Sequence, residues 1–173
     1  MKEEVKLQLA ASVREFRLPR YREIPDMGLY LEQVTQYILE QLAPLQENAI
    51  TGSMISNYVK KGLVASPVKK RYSRDQIAYL MFIALAKNVL SLDNLFRFIR
   101  LQQRTYSVEV AYEYVCDELE NALHYVFGLK ENMEFVGTDY TDEKFLLRDT
   151  VVAIAHKIYL DKCFACMAEE EIP

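Results

Sequence analysis

The segment from residue 50 to residue 80 constrains the fold of this chain more than any other. Thr51 is a suitable N-cap for a short helix of about residues 52–61. Gly62 can end that helix, because glycine takes the left-handed C-terminal conformation without strain. The segment therefore begins with a short helix that has a defined start and a defined stop.

A break, a basic run and a second helix follow directly. Ser66 and Pro67 interrupt the chain, and residues 69–72 read Lys-Lys-Arg-Tyr. Ser73 and Gln76, three residues apart, form the pattern of a capping box for a helix that starts there. This order, a helix followed by a basic hairpin-like segment and a second helix, is typical of a winged helix-turn-helix that binds DNA. We therefore predict an all-α fold with a small wing.

The rest of the chain also favours helices. Hydrophobic residues make up 51% and charged residues 27% of the sequence, which is typical of a globular protein, and only five Gly and five Pro interrupt it. We expect Asp26 to cap the helix that precedes the segment described above. Apolar residues recur at helical spacing in six further regions, which are about residues 1–17, 29–42, 74–88, 91–103, 107–127 and 142–166.

Charge is distributed unevenly along the chain. The net charge is −4, but residues 51–104 hold ten Lys or Arg against two acidic residues, whereas residues 105–173 hold five against fifteen. A basic region beside an acidic one suggests a module that faces phosphates, joined to a module that faces something else. The alternative is that both faces are merely solvated.

We expect a cytoplasmic protein. The N-terminus is charged throughout and lacks the apolar core of a secretory signal. The longest uncharged run, residues 76–86, is too short to span a bilayer. Three cysteines without an export signal are typical of a reducing compartment.

Three stretches within residues 18–98 carry a family resemblance: LPRYREIPDMGLYLEQVTQYI, ITGSMISNYVKKGLV and KKRYSRDQIAYLMFIALAKNVLSLDNL. They resemble the bacterial domain-of-unknown-function family 1836, which looks like MerR-type winged helix-turn-helix regulators. The MerR-like pattern is a helix ending in Tyr-x-x-x-Gly-Leu, a wing ending in Arg-x-Tyr, and a Ser-Leu-x-x-Ile turn. The matching residues here are 58–63, 70–72 and 91–95.

Two positions depart from the MerR-type pattern. Ser56 stands where an arginine usually precedes the helix tyrosine, and Lys70 stands where the wing usually has its arginine. Lysine binds phosphate as a point charge, without the bidentate fork of arginine.

Twelve residues are candidates for contact with DNA. We expect tyrosine hydroxyls and basic side chains to contact phosphates, which fixes register without reading sequence. Base reading would fall to the small polar side chains near the start of the first helix, since Asn can pair bidentately with adenine. The candidates are Thr51, Ser53, Ser56, Asn57, Tyr58, Lys60, Lys61, Lys69, Lys70, Arg71, Tyr72 and Arg74. The alternatives are a half-buried core tyrosine at Tyr58 and a solvated lysine face.

The motif Cys163-Phe164-Ala165-Cys166 is the main candidate for metal chemistry, with Cys116 and His156 as possible companions. Zinc usually needs four ligands from two such pairs, so we interpret these cysteines as small buried hydrophobic residues and expect no metal and no cofactor. The sequence contains no recognisable nucleophile motif and no glycine-rich phosphate loop. We therefore expect a protein that is not an enzyme.

These observations predict two regions: a MerR-like winged helix-turn-helix over residues 1–104 and a helical dimerisation or effector region over residues 105–173. The expected function is sequence-specific binding of duplex DNA in transcriptional regulation, by a homodimer, because one short helix reads too few base pairs. The alternative is a protein–protein adaptor that keeps the winged fold without binding DNA.

Overall fold

A computed structural model describes residues 2–47 and 49–170. Within that part of the chain there are seven α-helices and one short 3-10 helix over Tyr21–Glu23. The α-helices are α1 (Glu3–Arg14), α2 (Leu31–Leu42), α3 (Gly52–Lys60), α4 (Arg74–Ala86), α5 (Leu92–Thr105), α6 (Val108–Val126) and α7 (Asp142–Glu170). The all-helical class predicted from the sequence is confirmed.

The predicted start and stop signals of α3 are confirmed. The Thr51 hydroxyl accepts a hydrogen bond from the main-chain N–H of Met54 at 3.2 Å, and Gly62 takes a φ of 73° after the last turn. Ser73 and Gln76 form the predicted capping box at the start of α4. These short-range interactions fix where α3 ends and α4 begins.

The expectation that Asp26 caps α2 is wrong. Tyr30 is the N-cap residue, and the Gln33 side chain accepts a hydrogen bond from its main-chain N–H at 2.9 Å. Asp26 instead lies 3.6 Å from the Arg74 guanidinium. Helix α2 begins at Leu31, and Gly28, with a φ of 76°, turns the chain just before it, so Asp26 lies four residues before the N-cap position.

Helix α4 lies at the centre of the molecule. Nine of its thirteen residues are buried, and α2, α6 and α7 all pack against it. Because its apolar residues point in every direction, α4 can be covered only by several neighbouring helices. The helices α6 and α7 form the most extensive pair, and α1 packs against both.

The arm between α1 and α2 is fastened to α6 by ion pairs. Arg20 lies 2.5 Å from Asp117, 3.1 Å from Glu120 and 3.5 Å from Glu113. The Tyr21 main-chain N–H also donates to Glu113 at 2.8 Å. Part of the negative charge of the second half is therefore neutralised by the first half. The boundary predicted near residue 105 falls at the end of α5, just before the short connection to α6.

The predicted wing is not a β-ribbon. The described residues between α3 and α4 form only isolated bridges, Val68 with Arg71 and Leu29 with Tyr72. The first bridge closes a two-residue turn in which Lys69 and Lys70 have φ values of 49° and 64°. The next hydrogen-bonded pair of an antiparallel ribbon would be Ser66 with Ser73, but the Ser73 N–H donates to Gln76 Oε1 and its carbonyl accepts from the Ile77 N–H at the start of α4. The segment is a loop with a tight basic turn, which we call the Lys69–Lys70 turn.

A buried ion pair connects α6 and α7. The Lys144 ammonium donates to the Glu118 carboxylate, and both side chains are almost completely shielded from solvent. Arg148 adds a second cation at 3.6 Å from Glu118, and Lys144 also lies 4.3 Å from the ring centre of Tyr114. The carboxylate is therefore compensated by two cations.

No helix in the described part of the chain is long and apolar enough to cross a membrane.

Candidate nucleic-acid interface

Helix α3 presents one polar face to solvent. Ser53, Ser56, Asn57 and Lys60 are exposed, whereas the opposite side of the helix packs into the core through Ile55. This division follows from the helical period, because residues three and four apart lie on the same side. Small polar side chains and an amide on an exposed helix are suited to contact base edges in a major groove.

The lysines at the end of α3 and in the Lys69–Lys70 turn are exposed and have no acidic partner among the described residues. This holds for Lys60, Lys61, Lys69 and Lys70. Their ammonium groups remain available to an external anion, because no carboxylate of the described chain compensates them. Four cations without a partner in the described chain thus follow Asn57 along the sequence.

Arg71 and Arg74 make contacts within the protein. The Arg71 guanidinium lies 4.7 Å from the ring centre of Tyr30 and donates weakly to the carbonyl oxygens of Met27 and Gly28. Its side chain nevertheless remains exposed. A phosphate contact from Arg71 would therefore compete with its contacts to the arm that precedes α2.

Arg74 is held more firmly. Its Nε donates to the Ile24 carbonyl at 3.0 Å, Asp26 lies 3.6 Å away, and the side chain is 22% exposed. It also lies 5.4 Å from the ring centre of Tyr21. The sequence could not reveal this role, since a cation at a helix start has the same local pattern whether it faces solvent or a neighbouring segment.

Tyr58 and Tyr72 are core residues, with 7% and 4% of their surface exposed. Burial raises the pKa of both phenols above the usual value. Neither hydroxyl has a hydrogen-bond partner among the described residues. Neither hydroxyl oxygen is completely shielded from solvent. The rings therefore pack in the core while the hydroxyls can still donate to an external acceptor.

Sequence reasoning missed a carboxylate beside this surface. Glu32 on α2 lines a groove shared with Ser53 and Ser56, and also a second groove shared with Lys70. A carboxylate there repels phosphate, but it can also accept a hydrogen bond from the amino group of cytosine. Only the tertiary contact between α2 and α3 brings it to this position.

Sequence reasoning also missed a row of arginines on α5. Arg97, Arg100 and Arg104 are exposed, and none has an acidic partner among the described residues. Their spacing of three and four residues places them on one side of the helix. The neighbouring Gln103 donates to the Tyr79 hydroxyl at 2.9 Å, which ties the end of α5 to α4. The spacing of these arginines within the basic region could have indicated this row from the sequence alone.

The cysteines lie away from this surface. Cys163 is buried and Cys166 half-buried on α7, while the Cys116 thiol on α6 is 3.8 Å from the Pro19 carbonyl. Burial raises the pKa of Cys116 to about 12. No group of His, Cys, Asp and Glu side chains suited to hold a metal ion occurs among the residues that the structure describes.

Comparison with known proteins identifies a family without naming an activity. No curated protein and no solved structure matches the chain significantly. The profile of one family, described as a domain of unknown function (DUF1836), matches residues 19–115. The match runs from the arm before α2 through the first turns of α6, so it includes the whole of the candidate surface. Because it covers more than half of the sequence, the chain belongs to the DUF1836 family.

Proposed function

We propose that this chain binds duplex DNA through α3 and the Lys69–Lys70 turn, and that it acts as a homodimeric, sequence-specific transcriptional regulator. The observation that carries the proposal is a set of four exposed lysines, at the end of α3 and in the turn, that have no acidic partner among the described residues. A protein with net charge −4 concentrates uncompensated positive charge in this region. Such a region is typical of a surface that binds phosphates.

The side chains of this surface fall into two chemical groups, which would contact different parts of the DNA. The lysines and the hydroxyls of Tyr58 and Tyr72 would contact phosphates and set the position of α3 on the duplex. Ser53, Ser56 and Asn57 would then face the base edges. The resemblance of residues 58–63, 70–72 and 91–95 to the MerR-type pattern supports the same arrangement, with the tight turn in the place of the wing.

A dimer is part of the proposal, because a nine-residue helix contacts few base pairs. Helix α7 carries exposed apolar side chains at every seventh position, which are Leu146, Ala153, Leu160 and Met167; we call them the α7 stripe. The stripe suits a second copy of the chain. In an antiparallel pair centred on Ala153, Asp149 would lie opposite Lys157 of the other copy, so that opposite charges meet.

The salt dependence of binding to duplex DNA of random sequence tests the proposal. The variant carrying Lys69→Ala and Lys70→Ala should bind more weakly, and the slope of log affinity against log salt should fall by about two units, one for each lost phosphate contact. The matched control is Lys6→Ala with Lys130→Ala, which removes two exposed lysines outside both the proposed DNA surface and the α7 stripe. An unchanged slope in the turn variant would exclude the turn from the interface.

The same experiment distinguishes a DNA-binding regulator from a protein–protein adaptor. A regulator must show salt-dependent binding to random duplex DNA, whereas an adaptor need not. Absence of any such binding by the full chain at low salt would contradict DNA binding. The exposed side chains of the second half, such as Tyr125 and Phe164, would then be the better candidates for a partner surface.

A further inference from the structure

Helix α5 carries its positive charge on one outward side. Arg97, Arg100 and Arg104 are exposed, and their spacing places them together on the side that faces away from the buried Leu95 and Ile99. We call these three residues the α5 arginine row. None of them has an acidic partner among the described residues. The row is therefore available to an external anion.

Two hydrogen bonds place the end of α5 beside the loop that precedes the Lys69–Lys70 turn. Gln103 Nε2 donates to the Tyr79 hydroxyl on α4 at 2.9 Å. Nearer the start of α4, Gln76 Nε2 donates to the Ala65 carbonyl in the loop at 2.8 Å. Gln76 and Tyr79 are three residues apart, which is about 4.5 Å along the helix axis. The end of α5 and the loop therefore contact neighbouring turns of one helix.

A cleft of about 660 Å³ lies between the end of α5 and the turn. Gln103 lines it, and so do Val68 and Arg71, the two residues whose pairing closes the turn. Asp26 and Asp75 line it as well. These carboxylates repel phosphates from the cleft itself. A nucleic-acid backbone that contacts both the turn and α5 would therefore pass over the cleft without entering it.

The length of the α5 arginine row fits a phosphate backbone. Arg97 and Arg104 are seven residues apart, which is about 10 Å along the helix axis. Phosphates on one strand of B-DNA follow one another at intervals of about 3.4 Å along the duplex axis. The three long side chains can thus reach about two or three consecutive phosphates. Arginine is suited to this contact, because its planar fork binds two phosphate oxygens at once.

We propose that the α5 arginine row is a second phosphate-binding surface, which holds the backbone of the same duplex that α3 and the Lys69–Lys70 turn bind. This inference rests on the proposed function, since its occupant is that duplex. Charge complementarity and the cleft shared with the turn support it. Contacts on both sides of the cleft would fix the angle at which the nine-residue helix α3 lies on the DNA. Phosphate contacts do not read sequence, so base preference stays with α3.

The salt dependence of binding to duplex DNA of random sequence tests the row separately from the turn. Replacing all three arginines of the row with alanine should lower the slope of log affinity against log salt by about two to three units. Replacing the same three with lysine keeps the charges, so the slope should stay near that of the unmodified chain. The matched control combines Lys6→Ala, Arg14→Ala and Lys130→Ala, which removes three exposed cations elsewhere and should leave the slope unchanged.

The outcomes distinguish this inference from the function on which it rests. If the slope falls in the variant of the turn but the alanine variant of the row changes it no more than the control does, the row does not bind the duplex. The row would then be a solvated face or a surface for an acidic protein, and binding through the turn would stand. If only the row variant lowers the slope, the row binds DNA and the turn does not. Absence of salt-dependent binding by the unmodified chain would overturn both proposals.

Discussion

Leu29 and Tyr72 exchange two main-chain hydrogen bonds, of 3.1 Å from the Leu29 N–H and 2.8 Å from the Tyr72 N–H. They are far apart in the sequence, yet this pair attaches the chain after the Lys69–Lys70 turn to the segment that leads into α2. Gly28 precedes the pair with a φ of 76°, and a Cβ there would lie 3.0 Å from Arg71 Cβ. The backbone at Gly28 therefore sets how closely the loop approaches α2.

We predict that Gly28→Ala lowers the free energy of unfolding by more than Gly62→Ala does. Both glycines have positive φ, so both substitutions cost about 1–2 kcal/mol in backbone strain. Gly62 has open space around its Cβ position, whereas Gly28 adds the tight contact with Arg71. Urea unfolding of the two variants measures the difference. Equal losses of stability would show that Arg71 moves aside without cost.

Asn57 is predicted to read a base. Asn57→Ala should cost about 1–3 kcal/mol on the preferred site and relax the preference at one position, because the amide can pair bidentately with adenine. Selection from random DNA, followed by binding measurements, checks this. Asn94→Ala, another exposed asparagine on the first turns of a helix, is the matched control. Recovery of the same motif by the mutant and the unmodified chain would rule out this role.

The α7 stripe is predicted to hold two copies together. Leu160 is 49% exposed, and Leu160→Glu places a carboxylate in the proposed interface, where it would lose hydration on pairing. Sedimentation at micromolar concentration should report a dimer for the unmodified chain and a monomer for the variant, with unchanged helix content. Leu7→Glu, at an exposed position on α1, is the control. A Leu160→Glu variant that remains dimeric would remove the stripe from the interface.

The buried ion pair is predicted to respond asymmetrically to substitution. Lys144→Met leaves the Glu118 carboxylate buried with only Arg148 nearby, so we expect a loss of about 3–5 kcal/mol in the free energy of unfolding. Adding Glu118→Gln should recover part of that loss, since the buried charge is then gone. Lys6→Met, in an exposed pair with Glu3, should cost less than about 1 kcal/mol. This account is wrong if adding Glu118→Gln to Lys144→Met lowers the free energy of unfolding further.

Stability is predicted to fall in alkaline solution. Burial raises the pKa of Cys116 from its usual 9.0 and that of Tyr37 from its usual 10.0, each to about 12. The unfolded chain therefore loses these protons before the folded chain does. Their contribution to stability is complete below about pH 9 and disappears as the pH rises towards 12. Urea unfolding from pH 8 to pH 10.5 measures the decline.

The slope of the free energy of unfolding against pH tests the contribution of the Cys116 thiol separately. Cys116→Ala should make the loss of stability between pH 8 and pH 10 shallower, whatever its effect on absolute stability, because one raised pKa is gone. Cys166→Ala, which removes a half-buried thiol, should change the slope less. Identical slopes in the Cys116→Ala variant and the unmodified chain would exclude Cys116 as a source of the effect.

Local signals in the sequence determined the helices and most of their ends. Thr51, Gly62, Ser73 and Gln76 act through neighbours within a few residues, so their capping roles follow from residue type and spacing alone. The polar face of α3 was predictable for the same reason, since the helical period separates Asn57 from Ile55. Family membership likewise follows from the sequence of residues 19–115.

Contacts between distant residues were decided only by the tertiary structure. Arg74 has the local pattern of a free cation, yet the folded arm before α2 holds it through Ile24 and Asp26. Glu32 joins the candidate surface only because α2 packs beside α3. The pairing of Tyr72 with Leu29, which attaches the loop beside α2, is likewise a contact that residue type and spacing do not encode. Local chemistry fixes helices and caps, whereas the free energy of packing decides which charges remain available.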